Sequence, residues 1–77
     1  MVLAKLLSNE NGKIRYSYQP ENDGEWGVLS YDINHDISEI EKLAEKDIKS
    51  TFYRNHVFKM IRENINELPE NRVLMWY

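Results

Sequence analysis

The Asn11-Gly12 dipeptide constrains the fold of this chain most strongly, because it lies between two segments that each suit a β-strand. A two-residue type I′ turn needs positive φ at both central positions, and Asn and Gly adopt that conformation at low cost. After the turn, apolar and polar residues alternate across residues 13–19 with the two-residue period of a half-buried strand. The sequence therefore predicts a β-hairpin with its first strand over residues 2–8 and its second over residues 13–19.

Two further strands are predicted, one after the hairpin and one at the C-terminal end of the sequence. Pro20 lacks a backbone donor and predicts the end of the second strand, and residues 21–24 have turn chemistry. A third strand is predicted over residues 26–33, with Leu29, Tyr31 and Ile33 on one face and Trp26 and Val28 on the other. Residues 72–77 are rich in β-forming and aromatic residues, which predicts a closing strand.

Residues 37–48 allow two interpretations. Their apolar residues follow helical spacing, and Ser38 and Glu41 have the spacing of a capping box. A short helix is therefore the favoured prediction. The alternative is a strand over residues 37–43 that turns through Asn34-His35 and pairs with the third strand.

An amphipathic helix is predicted over residues 51–68, with Ser50 or Thr51 as its N-cap and Pro69 just after its end. Its apolar arc consists of Tyr53, Val57, Phe58, Met60, Ile61, Ile65 and Leu68. Asn64 also falls within this arc. We expect Asn64 either to make a buried hydrogen bond to a strand end or to mark a place where the helix is not covered.

Together these elements predict one small α+β domain over residues 1–77. Its core is a three- to four-stranded antiparallel sheet with the helix packed on one face. Residues 37–48 add either a short second helix or an extra strand. A core of this size supplies a net stability of only roughly 3–5 kcal/mol, which favours self-association.

The residue types argue against catalysis. The chain has no cysteine, which removes disulfides, thiolate catalysis and cysteine zinc sites, and its three glycines are too scattered to form a phosphate-binding loop. His35 lies in an aspartate-rich turn, where local hydrogen bonds are the ordinary role, and His56 lies at the boundary of the helix's apolar arc. We predict no catalytic residue, no cofactor and no metal site. The alternative is a small enzyme or metal-binding protein that uses His56 or His35.

Charge bears on the choice of partner. The net charge is -3, and the acidic residues are concentrated in residues 20–48. We interpret this block as a solvated face, or as a surface that selects a basic partner or pairs head to tail with a second copy. A nucleic-acid-binding accessory protein is a further alternative, in which Tyr16 and Tyr18 stack on bases. The basic residues available to it are Arg15, Arg54, Lys59, Arg62 and Arg72. A pI near 5.3 argues against that alternative, and the alternation of the tyrosines equally describes a core face.

The C-terminal residues suggest the contact surface. Leu74, Met75, Trp76 and Tyr77 are very apolar for a terminus, and a strand cannot point all of them inward. The leading hypothesis is a non-enzymatic protein-interaction module that binds a protein partner or forms a homodimer through these four residues. The sequence has no stretch of the roughly 20 apolar residues that a membrane span needs and no signal-peptide core, so we expect a soluble, cytoplasmic protein.

Overall fold

A computed structural model describes residues 1–49 and 51–75, which form one antiparallel sheet and one α-helix. The strands are β1 (Val2–Glu10), β2 (Lys13–Pro20), β3 (Gly27–Asp32), β4 (Ile37–Lys42) and β5 (Asn71–Leu74), and the helix is α1 (Phe52–Glu63). A short 3₁₀ turn, Glu45–Asp47, separates β4 from α1. The spatial order β4-β3-β2-β1-β5 places β4 and β5 at the two edges. The α+β class is therefore confirmed.

The β1–β2 hairpin forms at the predicted dipeptide. Asn11 has φ of 53° and Gly12 has φ of 80°, as a type I′ turn requires. The first strand is two residues longer than predicted and contains a bulge at Leu7, since Leu6 pairs with Tyr16 and Ser8 already pairs with Arg15. The local turn chemistry therefore sets the register of the two longest strands.

The core lies between α1 and one face of the sheet. Helix α1 contacts β1, β2 and β3, and its Val57 and Ile61 side chains are fully buried. The predicted apolar arc is confirmed, since its other members are buried or packed against the core. The sheet contributes Val2, Ala4, Ile14, Tyr16, Tyr18, Leu29 and Tyr31 to this core. The opposite face of the sheet is not covered by any other described element.

The helix favoured for residues 37–48 is wrong, and the alternative strand is correct. Residues 37–42 form β4 and pair with β3, so the sheet has five strands where three to four were predicted. Without β4 the backbone of β3 would be an open edge, and pairing satisfies its donors and acceptors. Glu41, assigned to a capping box by its spacing, instead binds the Arg15 guanidinium on β2 through two hydrogen bonds of 2.9 and 3.0 Å.

Helix α1 ends five residues earlier than the predicted Leu68. Asn64 leaves the helical conformation with φ of -128°, and its side-chain amide donates to the Met60 carbonyl at 2.7 Å. That bond satisfies a carbonyl at the helix end, so Asn64 serves as the helix C-cap and does not reach a strand. Ile65 and Leu68 still pack against the core. This explains why the apolar residues keep helical spacing in the sequence beyond the last residue of α1.

Two other boundaries differ slightly from the predictions. Ile33 lies in the turn after β3 and is 37% exposed, so it does not share the buried face of Leu29 and Tyr31. The predicted closing strand forms as β5, which begins at Asn71 and ends at Leu74. Trp76 and Tyr77 lie outside the described residues, as does Ser50, one of the two proposed N-cap residues.

Candidate functional site

Leu74 and Met75, two of the four sequence-predicted contact residues, lie at the β5 edge of the sheet. β5 pairs with β1 in register from Val2 opposite Leu74 to Lys5 opposite Asn71. Among the described residues, no strand pairs with the other side of β5. Leu74 is partly buried against the core, whereas Met75 is 57% exposed just after the strand.

One hydrogen bond shows which backbone groups of β5 face outward. The Leu6 N–H donates to the Glu70 carbonyl at 2.8 Å, which continues the β1–β5 register by one pair. In an antiparallel pair the backbone groups of successive residues point alternately toward and away from the partner strand. Glu70 therefore points its backbone groups toward β1, as do Arg72 and Leu74. The N–H and C=O groups of Val73 point away from the sheet, at its edge.

The Val73 side chain lies on the uncovered face of the sheet. Side chains alternate along a strand, and Leu74 faces the core, so Val73 faces the opposite side. Val73 is 51% exposed and lies opposite Leu3 of β1, which is also on that face. The β5 edge therefore combines outward-facing backbone groups with an apolar side chain.

A shallow groove of about 180 Å³ runs between β5 and the C-terminal half of α1. His56, Met60 and Asn64 line it on the helix side, and Arg72, Leu74 and Met75 line it on the strand side. The groove is mixed in character, because apolar Met60 and Leu74 line it together with the charged side chains of Lys59, Glu63 and Arg72. Leu74 and Met75, two of the four predicted contact residues, thus lie beside one concave surface.

The opposite edge, β4, has features that discourage strand pairing. A bulge interrupts its pairing with β3, because Leu29 lies opposite Ile40 whereas Val28 lies opposite Lys42. The extra residue is Glu41, and Glu39 and Lys42 add two more exposed charges to this six-residue strand. Bulges and charges are common means of blocking edge-to-edge association. β5 has one charged residue, Arg72, and its pairing with β1 shows no bulge.

The two histidines lie in different parts of the fold. His35 lies in the β3–β4 turn, and its Nδ1 is 2.9 Å from Asp32 Oδ2, while Asp32 Oδ1 accepts the backbone N–H groups of Asn34 and His35. This is the local hydrogen bonding expected of the turn. His56 lies on α1 with its ring edge-on to that of Phe52, at 4.8 Å between centroids. Within the described part of the chain, no three acidic or histidine side chains come close enough to hold a metal ion.

The tyrosines proposed to stack on bases are fully buried under α1. The Tyr16 hydroxyl donates to the Pro69 carbonyl at 2.6 Å, and the Tyr18 hydroxyl donates to Asp47 Oδ2 at 2.8 Å. Their alternation therefore marks the core face, and neither ring can reach a ligand on the folded protein. Arg15, which directly precedes Tyr16, is paired with Glu41 on the uncovered face.

Several carboxylates of the acidic block, residues 20–48, bind within the molecule. The Arg15 guanidinium lowers the pKa of Glu41, and the N-terminal ammonium, 2.7 Å from Glu21 Oε2, lowers the pKa of Glu21. Asp47 is buried and accepts a hydrogen bond from Arg54 Nε at 2.8 Å. These internal pairs leave less of the acidic block available for a basic partner than its composition suggests.

Asp47 is the main residue that the sequence analysis misplaced. It belongs to the acidic residues over 20–48 that were interpreted as a solvated face, but it is 0% exposed and joins Tyr18 to Arg54. The signal available in the sequence was weak, because only the seven-residue separation of Asp47 and Arg54 across a turn hinted at a pair.

The described residues contain no helix long and apolar enough to span a membrane. Comparisons with models of protein families, with curated proteins and with solved structures found no match to this chain.

Proposed function

We propose that this protein is a small, non-enzymatic protein-interaction module that self-associates, and that the β5 edge is its contact surface. The observation that carries the proposal is the difference between the two edges of the sheet. β4 carries a bulge and three charged side chains, whereas β5 presents outward-facing backbone groups beside the exposed Val73. An unprotected edge strand is a template for pairing with another chain.

The side chains near β5 favour a protein partner. Val73 and Leu3 make an apolar pair on the uncovered face, and Leu74 and Met75 line the groove on the helix face. Apolar contacts on both faces of an edge strand add to the backbone hydrogen bonds of a paired strand. Leu74 and Met75, two of the four residues that the sequence indicated as a contact, lie in this region, and Trp76 and Tyr77 are outside the described residues.

The non-enzymatic part of the proposal is supported by the roles of the polar side chains. The Asp32–His35 pair is part of an exposed turn, and Asp47 ties the core to α1 through Tyr18 and Arg54. The buried positions of Tyr16 and Tyr18 likewise support protein contact over a base-stacking surface.

The affinity of such a contact is limited by its size. Pairing through a four-residue strand buries less than the roughly 1,200–2,000 Å² of a standard stable interface. We therefore expect a dissociation constant between about 1 µM and 1 mM. Sedimentation equilibrium over that range should show the wild-type chain passing from monomer to dimer.

The variant Val73→Glu should weaken the dimer by at least about tenfold, because it places a charge on the contact edge. Its folding stability should change by less than about 1 kcal/mol, since the site is half exposed. Ile37→Glu is the matched control, as Ile37 is 47% exposed on the β4 edge, and it should leave the dimer unchanged. A wild-type monomer throughout, or equal effects of the two variants, would contradict the proposal.

A further inference from the structure

We infer that the partner of β5 is β5 of a second copy, paired antiparallel about a two-fold axis that passes between the two Val73 residues. This inference rests on the proposed function, which it makes specific. It predicts one continuous ten-stranded sheet, with the two α1 helices on the same face. The register is selected by the backbone directions of β5, by the charge of Arg72 and by Pro69.

A two-fold axis permits only a few registers. Asn71 and Val73 point their backbone groups outward, so outward-facing residues must lie opposite outward-facing residues of the second copy. A register centred on Leu74 meets this condition but opposes only one residue of Asn71–Leu74, Leu74 itself, to the same strand of the second copy. Three other symmetric registers centred within β5 also meet it. They are centred on Asn71, on Arg72 or on Val73.

The register centred on Arg72 places two guanidinium groups directly opposite each other. This would be a non-hydrogen-bonded pair, in which the Cα atoms are only about 4.5 Å apart and the side chains are closest. Like charges opposed in that way are destabilising. No acidic side chain of β5 could relieve the repulsion, because Arg72 is the only charged residue among Asn71–Leu74.

The register centred on Asn71 brings Pro69 opposite Val73 of the second copy. Pro69 has no backbone N–H, so it cannot donate to the outward-facing Val73 carbonyl. The Pro69 carbonyl already accepts the Tyr16 hydroxyl at 2.6 Å, and the residue lies outside β5. This register therefore forfeits hydrogen bonds at both of its ends.

The register centred on Val73 avoids both problems. Val73 forms a hydrogen-bonded pair with Val73 of the second copy, and Arg72 lies opposite Leu74, so no like charges face each other. Because Leu3 lies beside Val73 on the uncovered face, the pairing creates an apolar row of Leu3, Val73 and their two equivalents. Pairing continues to Asn71 opposite Met75 if Met75 extends the strand by one residue on association.

Disulfide trapping tests this register, because the natural chain has no cysteine. In a hydrogen-bonded antiparallel pair the Cα atoms are about 5.5 Å apart, within the range that a disulfide spans. Val73→Cys should therefore cross-link between copies under mild oxidation. In the same register the two Asn71 residues are displaced by four positions, about 13 Å along the strands, so Asn71→Cys should not cross-link.

The rate for Val73→Cys should exceed the rates for Asn71→Cys and for the β4-edge control Ile37→Cys by at least about tenfold. Wild-type sedimentation is measured in parallel. A wild-type dimer in which Asn71→Cys cross-links as fast as Val73→Cys, or in which neither variant exceeds Ile37→Cys, would overturn the register and leave the proposed self-association in place. A wild-type monomer with equal cross-linking of all three variants would overturn both.

Discussion

At the scale of single residues, Asp47 links the sheet to α1. Its Oδ2 accepts hydrogen bonds from the Tyr18 hydroxyl and Arg54 Nε, both at 2.8 Å, and its backbone carbonyl accepts one from Arg54 Nη2. Its Oδ1 is buried and receives no hydrogen bond from the described residues. A buried carboxylate that lacks one such bond is retained only if its other partners compensate for its desolvation.

Replacement of Asp47 by Ala should lower the free energy of unfolding by roughly 2–4 kcal/mol, because Arg54 and the Tyr18 hydroxyl would lose a buried acceptor. This would consume most of the net stability expected of so small a core. Urea denaturation at neutral pH measures the effect.

The control is Glu41→Ala, which breaks the Arg15 pair on the uncovered face. That pair is about one-third exposed, so its loss should cost less than about 1 kcal/mol. Equal destabilisation by Asp47→Ala and Glu41→Ala would show that burial of Asp47 adds nothing to the stability of the fold.

At the scale of secondary-structure elements, the start of β3 depends on close packing against its neighbours. A Cβ atom on Gly27 would meet the Ala44 nitrogen, the Tyr18 ring and the Lys42 carbonyl oxygen at 2.4, 2.5 and 2.6 Å. These distances are too short for van der Waals contact, and two of the neighbours are backbone atoms that can move little. Gly27 is therefore required by the approach of the end of β4 and the segment after it.

Gly27→Ala should destabilise the protein by roughly 1–3 kcal/mol through overpacking. For a chain of this length each kcal/mol corresponds to about 4–8 °C in the melting temperature, so the midpoint should fall by at least about 4 °C. Thermal denaturation followed by circular dichroism provides the measurement. Ser38→Ala, at an exposed site on β4, should leave the midpoint nearly unchanged; a similar fall for both variants would contradict the packing argument.

At the scale of the whole molecule, four tyrosine hydroxyls connect the sheet and helix to the segments between them. Tyr16 donates to Pro69, Tyr18 to Asp47, Tyr31 to Asp36 and Tyr53 to Glu21. Each acceptor lies in, or next to, a different connection between elements. A phenol must remain protonated to donate, so these contacts require neutral tyrosines.

The tyrosine pKa values reflect this arrangement. Burial raises the pKa of Tyr16 and, with the Asp47 hydrogen bond contributing less, raises the pKa of Tyr18 to about 12. Hydrogen bonds to Asp36 and Glu21 raise the pKa values of Tyr31 and Tyr53. In the unfolded chain all four should ionise near the ordinary value of about 10.

The folded state should therefore lose stability as the pH rises from about 10 to about 12. In that interval the unfolded chain has released its phenolic protons while the folded chain retains them, so the free energy of unfolding falls with pH. Tyr18 alone should account for a loss on the order of 2 kcal/mol. Urea denaturation across this interval, with tyrosinate absorbance recorded in parallel, tests the prediction.

Tyr18→Phe supplies the control for the alkaline loss. It should be less stable than wild type at neutral pH, because Asp47 loses a donor, and its stability should fall less steeply above about pH 10. Identical pH profiles for the two proteins would contradict the assignment to Tyr18.

The local sequence pattern was sufficient to predict the hairpin at Asn11-Gly12 and the buried face of α1. Positive φ at a two-residue turn and the helical spacing of Val57 and Ile61 depend on neighbours in sequence, so both can be inferred before any tertiary contact is known. The apolar character of the C-terminal residues could also be read directly from the sequence. The place of Leu74 in an edge strand follows only from the pairing of β5 with β1.

The remaining features depend on contacts between residues far apart in the chain. Residues 37–42 have helical spacing, yet they form a strand because the open side of β3 needs hydrogen-bonding partners. Asp47 is buried where Tyr18 of β2 and Arg54 of α1 both donate to its carboxylate. The backbone groups of Val73 point away from the sheet because the Leu6–Glu70 hydrogen bond sets the register of β5. Strand pairing, side-chain burial and exposure at a sheet edge are properties of the assembled sheet. They cannot be inferred from the periodicity of residues along the chain.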